Sequence, residues 1–216
     1  MKVTEKEEPD LILVQEPYEY KNKPVGIEKK YRIFTAGKGK HRAAIVIPNN
    51  KIDAILITQI SDGDTVLIEI IHENMKFFAA SMYFDIEDQI ENSFKKIDAL
   101  LKFAKGGRIL IATDSNSRST TWHDTVTNTR GKKLEEYLAS KQLHIVNEGS
   151  ERSTFHSRRG SSNIDLTITN NSLIKAVNKW EINAEESCSD HNFLKYNIGI
   201  ADSFNNVHNY HGIGYI

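Results

Sequence analysis

Four carboxylates in this chain lie where short apolar runs end or begin. They are Glu16 after residues 10–15, Asp114 after residues 108–113, Asp165 within residues 163–168, and Asp190 directly before His191. Apolar runs of this length, bounded by polar residues, predict buried β-strands. A carboxylate at the rim of a buried strand is costly unless it meets a cation or a hydrogen-bond donor. We therefore predict one acidic, metal-binding site with His191 beside it.

Each of these motifs is weak alone. A Ser-Asp-His segment such as 189–191 is more often a loop or a helix cap, and Asp114-Ser-Asn116 is more often a simple turn. Asp165 carries more information, because strand alternation places it opposite the apolar Ile164 and Leu166. A carboxylate on that face needs a partner, and an imidazole is a suitable one.

Composition describes an ordinary globular protein. The chain has 216 residues, of which 39% are hydrophobic and 26% charged, and its formal net charge is −1. This length favours one domain. A non-specific duplex binder is usually more basic, but an enzyme that collects carboxylates around a metal need not be. One cysteine, Cys188, excludes an intrachain disulfide. The sequence has no signal-peptide core and no apolar stretch that spans a membrane, which favours an intracellular protein.

Many predicted strands and few helices favour a mixed α/β sandwich. Apolar residues at three- and four-residue spacing predict helices over residues 85–104 and about 132–141. Strands are predicted at 11–14, 31–35, 43–47, 54–58, 65–71, 76–82, 108–112, 144–146, 164–169, 177–182 and 193–200.

Five motifs together resemble the endonuclease/exonuclease/phosphatase superfamily, which includes apurinic/apyrimidinic endonucleases. They are Gln15-Glu-Pro-Tyr18, Ser81-Met-Tyr-Phe84, Thr113-Asp-Ser-Asn116, Asn163-Ile-Asp-Leu166 and Ser189-Asp-His191. The segments 114–123, 153–155 and 186–191 more closely resemble the endonuclease domain of arthropod non-LTR retrotransposons. The resemblance covers about residues 10–200. It implies a four-layered α/β sandwich of two mixed, mostly antiparallel β-sheets flanked by helices.

The resemblance also implies a role for each matching residue. Glu16, with Asp190 close by, would hold the divalent cation, Mg²⁺ or alternatively Mn²⁺. Asp114 would be the general base and Asn116 would orient the water. Asp165 would orient His191, which contacts the scissile phosphate, and Tyr83 would assist the leaving group. Hydrolysis of a phosphodiester requires an activated water molecule and neutralisation of the negative charge on the phosphate oxygens. Tyr83 also has a simpler interpretation, as a half-buried strand aromatic.

The resemblance implies double-stranded DNA as the partner. Residues 155–163 are expected to form a hairpin whose tip, Arg158 and Arg159, contacts the duplex. Arg118 and Ser119 are further candidates for DNA binding from the motif that follows Asp114. The basic residues of 38–42 and 130–133 are expected to be solvated surface charge. Trp122 is interpreted either as a packing residue or as part of a motif that favours DNA. Cys188 is expected to be a small filler beside the site.

The chain departs from the family at both ends. The family begins with a strand and a helix, whereas residues 1–9 form only a charged lead-in, so the edge of the strand before Glu16 is expected to stay unpaired. Residues 10–200 form the predicted domain, and residues 201–216 an irregular tail leading toward a reverse transcriptase. We interpret the chain as a fragment of a transposon protein or a decayed copy. A monomer in the nucleus is expected, with a reverse transcriptase as the fused partner in a full-length element.

Three functions compete at this point. The first is a Mg²⁺-dependent endonuclease that nicks target DNA and so primes reverse transcription. The second is a phosphoesterase of the same fold that acts on another phosphate ester, such as an inositol phosphate. The third is an inactive, truncated remnant.

Overall fold

The computed structural model describes residues 9–72, 75–183, 189–201 and 207–215. Cys188 and Glu186 lie outside these residues. Two six-stranded sheets pack face to face, and a small two-stranded hairpin lies beside them. The predicted α/β sandwich of two mixed, mostly antiparallel sheets is thereby confirmed.

The first sheet contains the strand that precedes Glu16. Its strands, in chain order, are β1 (Leu11–Gln15), β2 (Arg32–Phe34), β3 (Ala43–Ile47), β12 (Val177–Ile182), β13 (Leu194–Ala201) and β14 (Val207–Tyr215). Their spatial order is β12-β13-β14-β1-β3-β2, and only β1 and β14 are parallel neighbours.

The second sheet contains the strands that carry Asp114 and Asp165. It consists of β4 (Asp53–Leu56), β5 (Thr65–His72), β6 (Met75–Tyr83), β7 (Ile109–Asp114), β8 (Leu143–Ile145) and β11 (Asp165–Asn170). Their order is β4-β5-β6-β7-β11-β8, with one parallel pair, β6 and β7. The separate hairpin consists of β9 (Phe155–Ser157) and β10 (Gly160–Ser162).

Two helices cover the outer face of the second sheet. They are α1 (Ile90–Ala104) and α2 (Thr129–Ser140), and short 3₁₀ turns lie at Thr120–Trp122 and Ile174–Ala176. Helix α1 buries Ile90, Ile97 and Leu100 on one stripe, as the predicted periodicity requires. It begins five residues later than predicted, because Asp85 accepts a hydrogen bond from the Glu87 N–H and so forms a turn.

The buried apolar residues form three clusters. Leu13, Ile45, Val66 and Leu110 belong to a cluster that both sheets share. A second cluster fills the space between the second sheet and the helices, and a third lies on the outer face of the first sheet, where Ile27 and Tyr31 pack against it. Because these strands are buried on both faces, they appear in the sequence as continuous apolar runs.

The C-terminal segment differs from its predicted structure. Residues 207–215 are not irregular but form β14, which lies between β1 and β13. The edge of β1 is therefore hydrogen-bonded to β14, and the prediction of an unpaired edge is wrong. Pairing of backbone donors and acceptors on both sides of a buried strand explains this arrangement.

Candidate active site

Three predicted site residues lie side by side at one end of the second sheet. The antiparallel pairing of β7 with β11 places Asp114 directly opposite Asp165. The parallel pairing of β6 with β7 places Tyr83 opposite Asp114. Residues paired in this way have their Cβ atoms only about 5 Å apart. Strand register therefore brings together groups that lie 82 residues apart in the chain, from Tyr83 to Asp165.

His191 completes a buried cluster with the two aspartates. Its Nδ1 lies 3.1 Å from Asp165 Oδ2 and 3.2 Å from Oδ1. One atom each from Asp114, Asp165 and His191 lies within 4.8 Å of the other two, and all three residues are buried. The imidazole packs edge-on against the Phe155 ring, with 4.7 Å between the ring centres. The bond to Asp165 occupies Nδ1 and fixes the orientation of the imidazole.

Asp114 has an unusual electrostatic environment. Its side chain is 2% exposed, and its carboxylate accepts the Asn116 N–H at 3.0 Å. No lysine or arginine among the described residues forms an ion pair with it. Burial, together with the negative charge of Asp165, raises the pKa of Asp114 to about 8. Such a carboxyl group binds a proton or a metal ion more readily than an exposed one.

The pKa of His191 is shifted by opposing effects. Burial lowers it, but the hydrogen bond and charge of Asp165, with the charges of Asp114 and Glu16, raise it more. The net effect is a pKa above the usual value. At neutral pH the imidazole is thus more often cationic than an exposed histidine, which suits contact with a phosphate.

Asn116 occupies a tight turn directly after β7. Its φ of 46° is in the left-handed region, which asparagine tolerates better than most residues. Its side-chain amide donates to the Phe84 carbonyl at 3.1 Å, so the turn is fixed to the end of the neighbouring strand β6. This arrangement holds Asn116 beside Asp114, and its role in orienting the water stays a prediction.

Tyr83 is half-buried and is contacted by an arginine that the sequence analysis assigned to the solvated surface. The Arg42 guanidinium lies over the Tyr83 ring at 4.7 Å, a cation–π distance. Arg42 also donates to Asp64 at 2.7 Å and to Asp85 at 2.5 Å. Burial, then the charges of Glu16 and Asp114, raise the pKa of the Tyr83 hydroxyl.

Arg130 is a second basic residue for which the prediction of a solvated surface charge is wrong. Its guanidinium donates to the backbone carbonyls of Asp88 and Asp85 at 2.7 and 3.2 Å. Arg130 and Arg42 thus both fix the turn before α1. Neither role has a signal in the sequence, because each partner lies about forty residues away.

Glu16 lies at the edge of this cluster. It follows β1, and its N–H donates to the Arg42 carbonyl at 2.9 Å. Its charge acts on Asp114, Tyr83 and His191. The two sheets are joined next to it, because the buried Gln15 amide donates to the Ser81 hydroxyl at 2.7 Å. This polar bridge positions Glu16, which belongs to the first sheet, relative to Asp114 of the second.

Asp190 is the predicted metal ligand that the structure places apart from the cluster. It is exposed and lines a hollow of about 620 Å³ together with Arg118 and the β9–β10 hairpin. Ser189 and Asp190 form a bend directly before His191, and Asp190 stays exposed while His191 is buried. A role for Asp190 beside Glu16 stays a prediction that this geometry does not support.

The hairpin predicted over residues 155–163 is present. Arg158 and Arg159 form its exposed tip between β9 and β10. Thr154 connects the hairpin to the cluster: its hydroxyl oxygen accepts the Asp165 N–H at 3.2 Å, and its carbonyl accepts the Asn192 N–H at 2.7 Å. Sequence analysis missed this residue, although it lies within the motif 153–155.

Ser119 is the predicted DNA-binding residue that the structure contradicts. Its side chain is fully buried, donates to Glu135, and accepts the Thr121 N–H as the cap of the 3₁₀ turn. Ser119 thus stabilises the loop and has no surface to offer DNA. Arg118 is partly exposed, but its guanidinium is paired with Asp124 at 2.8 Å.

Trp122 follows the packing interpretation. It is 1% exposed within the cluster beneath the helices, and its indole N–H donates to the Asn163 carbonyl at 2.9 Å. Trp122 therefore stabilises the loop after β7 by packing in the protein interior.

The cluster suits a divalent cation. Carboxylate oxygens and an imidazole nitrogen are common ligands of such ions. Asp114 is buried beside the charge of Asp165, and a bound cation would compensate that excess of negative charge. Asp114, Asp165 and His191, with Glu16 at the edge, are thus the residues that fit a metal ion.

An α/β sandwich with a buried carboxylate–histidine cluster at the strand ends places the chain among proteins with the fold of nucleases and phosphatases. Residues 77–195, more than half of the chain, match the family described as endonuclease–reverse transcriptase. The chain belongs to this family. No helix in the described residues is long and apolar enough to cross a membrane.

Two curated relatives are encoded by retrotransposons. A 115 kDa protein of the type-1 retrotransposable element R1DM of Drosophila melanogaster is 25% identical over 191 residues, which are 84% of this chain and 18% of the relative. The Pol polyprotein of the type-1 element R1 of Bradysia coprophila is 23% identical over 186 residues, 81% of this chain and 18% of that protein. The chain thus spans about a fifth of these relatives.

Solved structures share the fold. The endonuclease domain of TRAS1, a telomere-specific non-LTR retrotransposon, superposes with a TM-score of 0.83 at 24% identity, over 93% of this chain and 91% of that one. The AP endonuclease LMAP of Leishmania major superposes with a TM-score of 0.69 at 10% identity, over 88% and 78%. The resemblance to the endonucleases of non-LTR retrotransposons is confirmed.

Proposed function

We propose that this protein is a divalent-metal-dependent endonuclease that nicks double-stranded DNA and leaves a 3′-hydroxyl from which a reverse transcriptase can start. The observation that carries the proposal is the buried cluster of Asp114, Asp165 and His191 in a chain of the endonuclease–reverse transcriptase family. Acting on chromosomal DNA, the protein would work in the nucleus.

The proposed reaction is hydrolysis of one phosphodiester. The oxygen of a water molecule bonds to phosphorus, and the bond between phosphorus and the 3′-oxygen breaks. The attacking water loses a proton to Asp114, the buried carboxylate that is positioned by the Asn116 N–H. The leaving 3′-oxygen gains a proton, for which the hydroxyl of Tyr83, the residue paired with Asp114 in the ladder, is the proposed donor. General acid–base groups contribute about 10²–10⁴-fold each.

His191 would contact the phosphate. Asp165 holds its Nδ1 and so orients the ring, and Nε2 would donate to a non-bridging oxygen. A divalent cation, Mg²⁺ or Mn²⁺, would add positive charge at the phosphate oxygens and favour the ionised form of Asp114. Glu16, at the edge of the cluster, is the group we expect to hold it, while the Asp114 carboxylate accepts the proton of the water.

DNA would lie across the exposed rim of the site. Arg158 and Arg159 at the hairpin tip are the proposed phosphate or minor-groove contacts. In a full-length element a fused reverse transcriptase would receive the new 3′-end, and the endonuclease domain itself is expected to be monomeric.

The test is relaxation of supercoiled plasmid by purified protein with Mg²⁺, with Mn²⁺ and with EDTA. We expect nicked circles only with a metal, ends that a DNA polymerase can extend, and ends that a ligase can seal. The variant Asp165→Asn should nick about 10–100-fold more slowly, while Glu136→Gln, a carboxylate on the solvent side of α2, should nick at the wild-type rate. Release of phosphate from monoesters without nicking would instead favour a phosphoesterase, and duplex binding without nicking an inactive remnant.

A further inference from the structure

A short hairpin follows Glu16 and is held firmly in place. The Val25 N–H donates to the Tyr18 carbonyl at 2.9 Å, and Tyr20 and Lys23 exchange backbone hydrogen bonds. The Glu19 carboxylate lies 2.6 Å from His41 Nδ1 and also accepts the His41 N–H, with both side chains nearly buried. These bonds tie the hairpin to the segment that precedes β3.

Two aromatic side chains project from this hairpin into solvent. Tyr18 is 79% exposed and Tyr20 is 63% exposed. Two large, exposed aromatic rings within three residues are unusual on a rigid turn, because burial of such rings is favourable. Aromatic side chains displayed in this way are typical of surfaces that contact a ligand.

Only one of the two tyrosines faces the candidate site. Tyr18 lines a hollow of about 530 Å³ together with Glu16 and Lys40, whereas Tyr20 does not line it. Ligand sites commonly have volumes of about 300–1,000 Å³. The hollow therefore has the size of a small-molecule site and shares Glu16 with the proposed catalytic residues.

The chemistry of the hollow fits a nucleotide. The exposed Tyr18 ring offers a flat face, on which a nucleobase can stack. The Lys40 ammonium is exposed and makes only a loose, 3.6 Å contact with Glu16, so it can also contact a phosphate. Lys40 offsets the repulsion between Glu16 and that phosphate. A base inside a duplex hides both faces in the stack, so the matching ligand is an unpaired base.

We propose that this hollow is a nucleotide subsite, in which Tyr18 stacks on one unpaired base next to the cleaved bond and Lys40 contacts the phosphate of that nucleotide. The proposal rests on the proposed function and adds a preference of the nuclease for locally opened DNA.

The experiment compares binding of two short duplexes in EDTA, one fully paired and one with a single bulged base. We expect the wild-type protein to bind the bulged duplex more tightly, by roughly tenfold, the effect of one base-stacking contact. Tyr18→Ala should lose that preference, and Tyr18→Trp should keep it. Tyr20→Ala is the matched control and should keep it. Lys40→Gln should reduce the salt dependence of binding by about one phosphate contact, and Lys23→Gln should not.

The outcomes separate this proposal from the proposed function. A wild-type protein that nicks plasmid but shows no preference for the bulged duplex overturns the subsite alone. Equal loss of the preference in Tyr18→Ala and Tyr20→Ala also overturns it. A wild-type protein that binds no DNA overturns both. Thermal melts of all the variants check that the fold is unchanged.

Discussion

The buried cluster and the β9–β10 hairpin tip differ in how their side chains are held. Asp114, Asp165 and His191 are buried, and strand register and hydrogen bonds define their positions. Arg158 and Arg159 are exposed at a turn, and neither forms an ion pair within the described residues. The cluster has a defined geometry before any ligand binds, whereas the two arginines can adapt to one.

This difference indicates a division of labour between the two regions. Reaction geometry benefits from groups that are fixed in advance, because reorganisation during the reaction costs rate. Contact with a phosphate backbone depends more on charge than on exact position. Thr154 links the regions, since it bonds to the Asp165 N–H and lies directly before the hairpin. Substitutions in the cluster should therefore change catalysis, and substitutions at the tip should change affinity.

The largest effect is expected from Asp114→Asn. Loss of the proposed general base should reduce nicking by about 10²-fold or more. The same change should stabilise the metal-free protein at high pH. Because the pKa of Asp114 is raised from 3.8 to about 8, its favourable contribution is complete below about pH 3.8 and is lost as the pH rises through about 8.

Thermal melts in EDTA at about pH 5 and about pH 9 check this sign. The amide of the Asp114→Asn variant is neutral at both values, so the melting temperature of the variant should exceed that of the wild type by more at the higher pH. Asp98→Asn, on the surface of α1, is the control. If the difference in melting temperature between the variant and the wild type were the same at both pH values, the raised pKa of Asp114 would be wrong.

Asp165→Asn should have the next largest effect. The substitution keeps the shape but removes the negative charge beside His191, so the pKa of the imidazole should fall. Loss of such an orienting partner typically costs about 10–100-fold. An NMR titration of the His191 ring protons in the wild type and the variant gives the two pKa values directly. An unchanged titration of His191 would disprove the coupling.

Much of the structure of these two regions can be predicted from the sequence. Buried strands are visible as apolar runs, so most strand positions and the α/β class are predictable. The pairing of Asp114 with Asp165 is accessible because both lie at strand ends, and the motif of residues 155–163 indicates a hairpin. These are local signals, and local signals are sufficient for the elements that carry the cluster.

The missed features all depend on distant partners. Arg42 resembles surface charge until Asp64, Asp85 and Tyr83 surround it. Ser119 resembles an exposed loop residue until it caps a turn against Glu135. The pairing of β14 with β1 joins residues about two hundred positions apart, and no pattern within 201–216 predicts that partner.

A smaller effect, on affinity alone, is expected from the double substitution Arg158→Ala and Arg159→Ala. DNA binding should weaken, and its dependence on salt should flatten by about 0.9 for each phosphate that is no longer bound. Nicking at saturating DNA should change little. Lys102→Ala with Lys105→Ala, an exposed basic pair at the C-terminal end of α1, is the matched control. If the DNA affinity of the double variant depended on salt concentration as that of the wild type does, these arginines would not contact the DNA.

The smallest effect is expected from Ser119→Ala, and it separates structure from binding. Ser119 is a candidate for DNA contact by resemblance, but its hydroxyl caps the turn Thr120–Trp122 and bonds to Glu135. Its removal should lower the free energy of unfolding by about 1 kcal/mol, as for loss of a helix cap. Chemical denaturation measures that decrease, and a filter-binding titration should give the wild-type affinity for DNA. If Ser119→Ala instead bound DNA more weakly and kept the wild-type stability, Ser119 would contact DNA, and the DNA-binding surface would include the loop after β7.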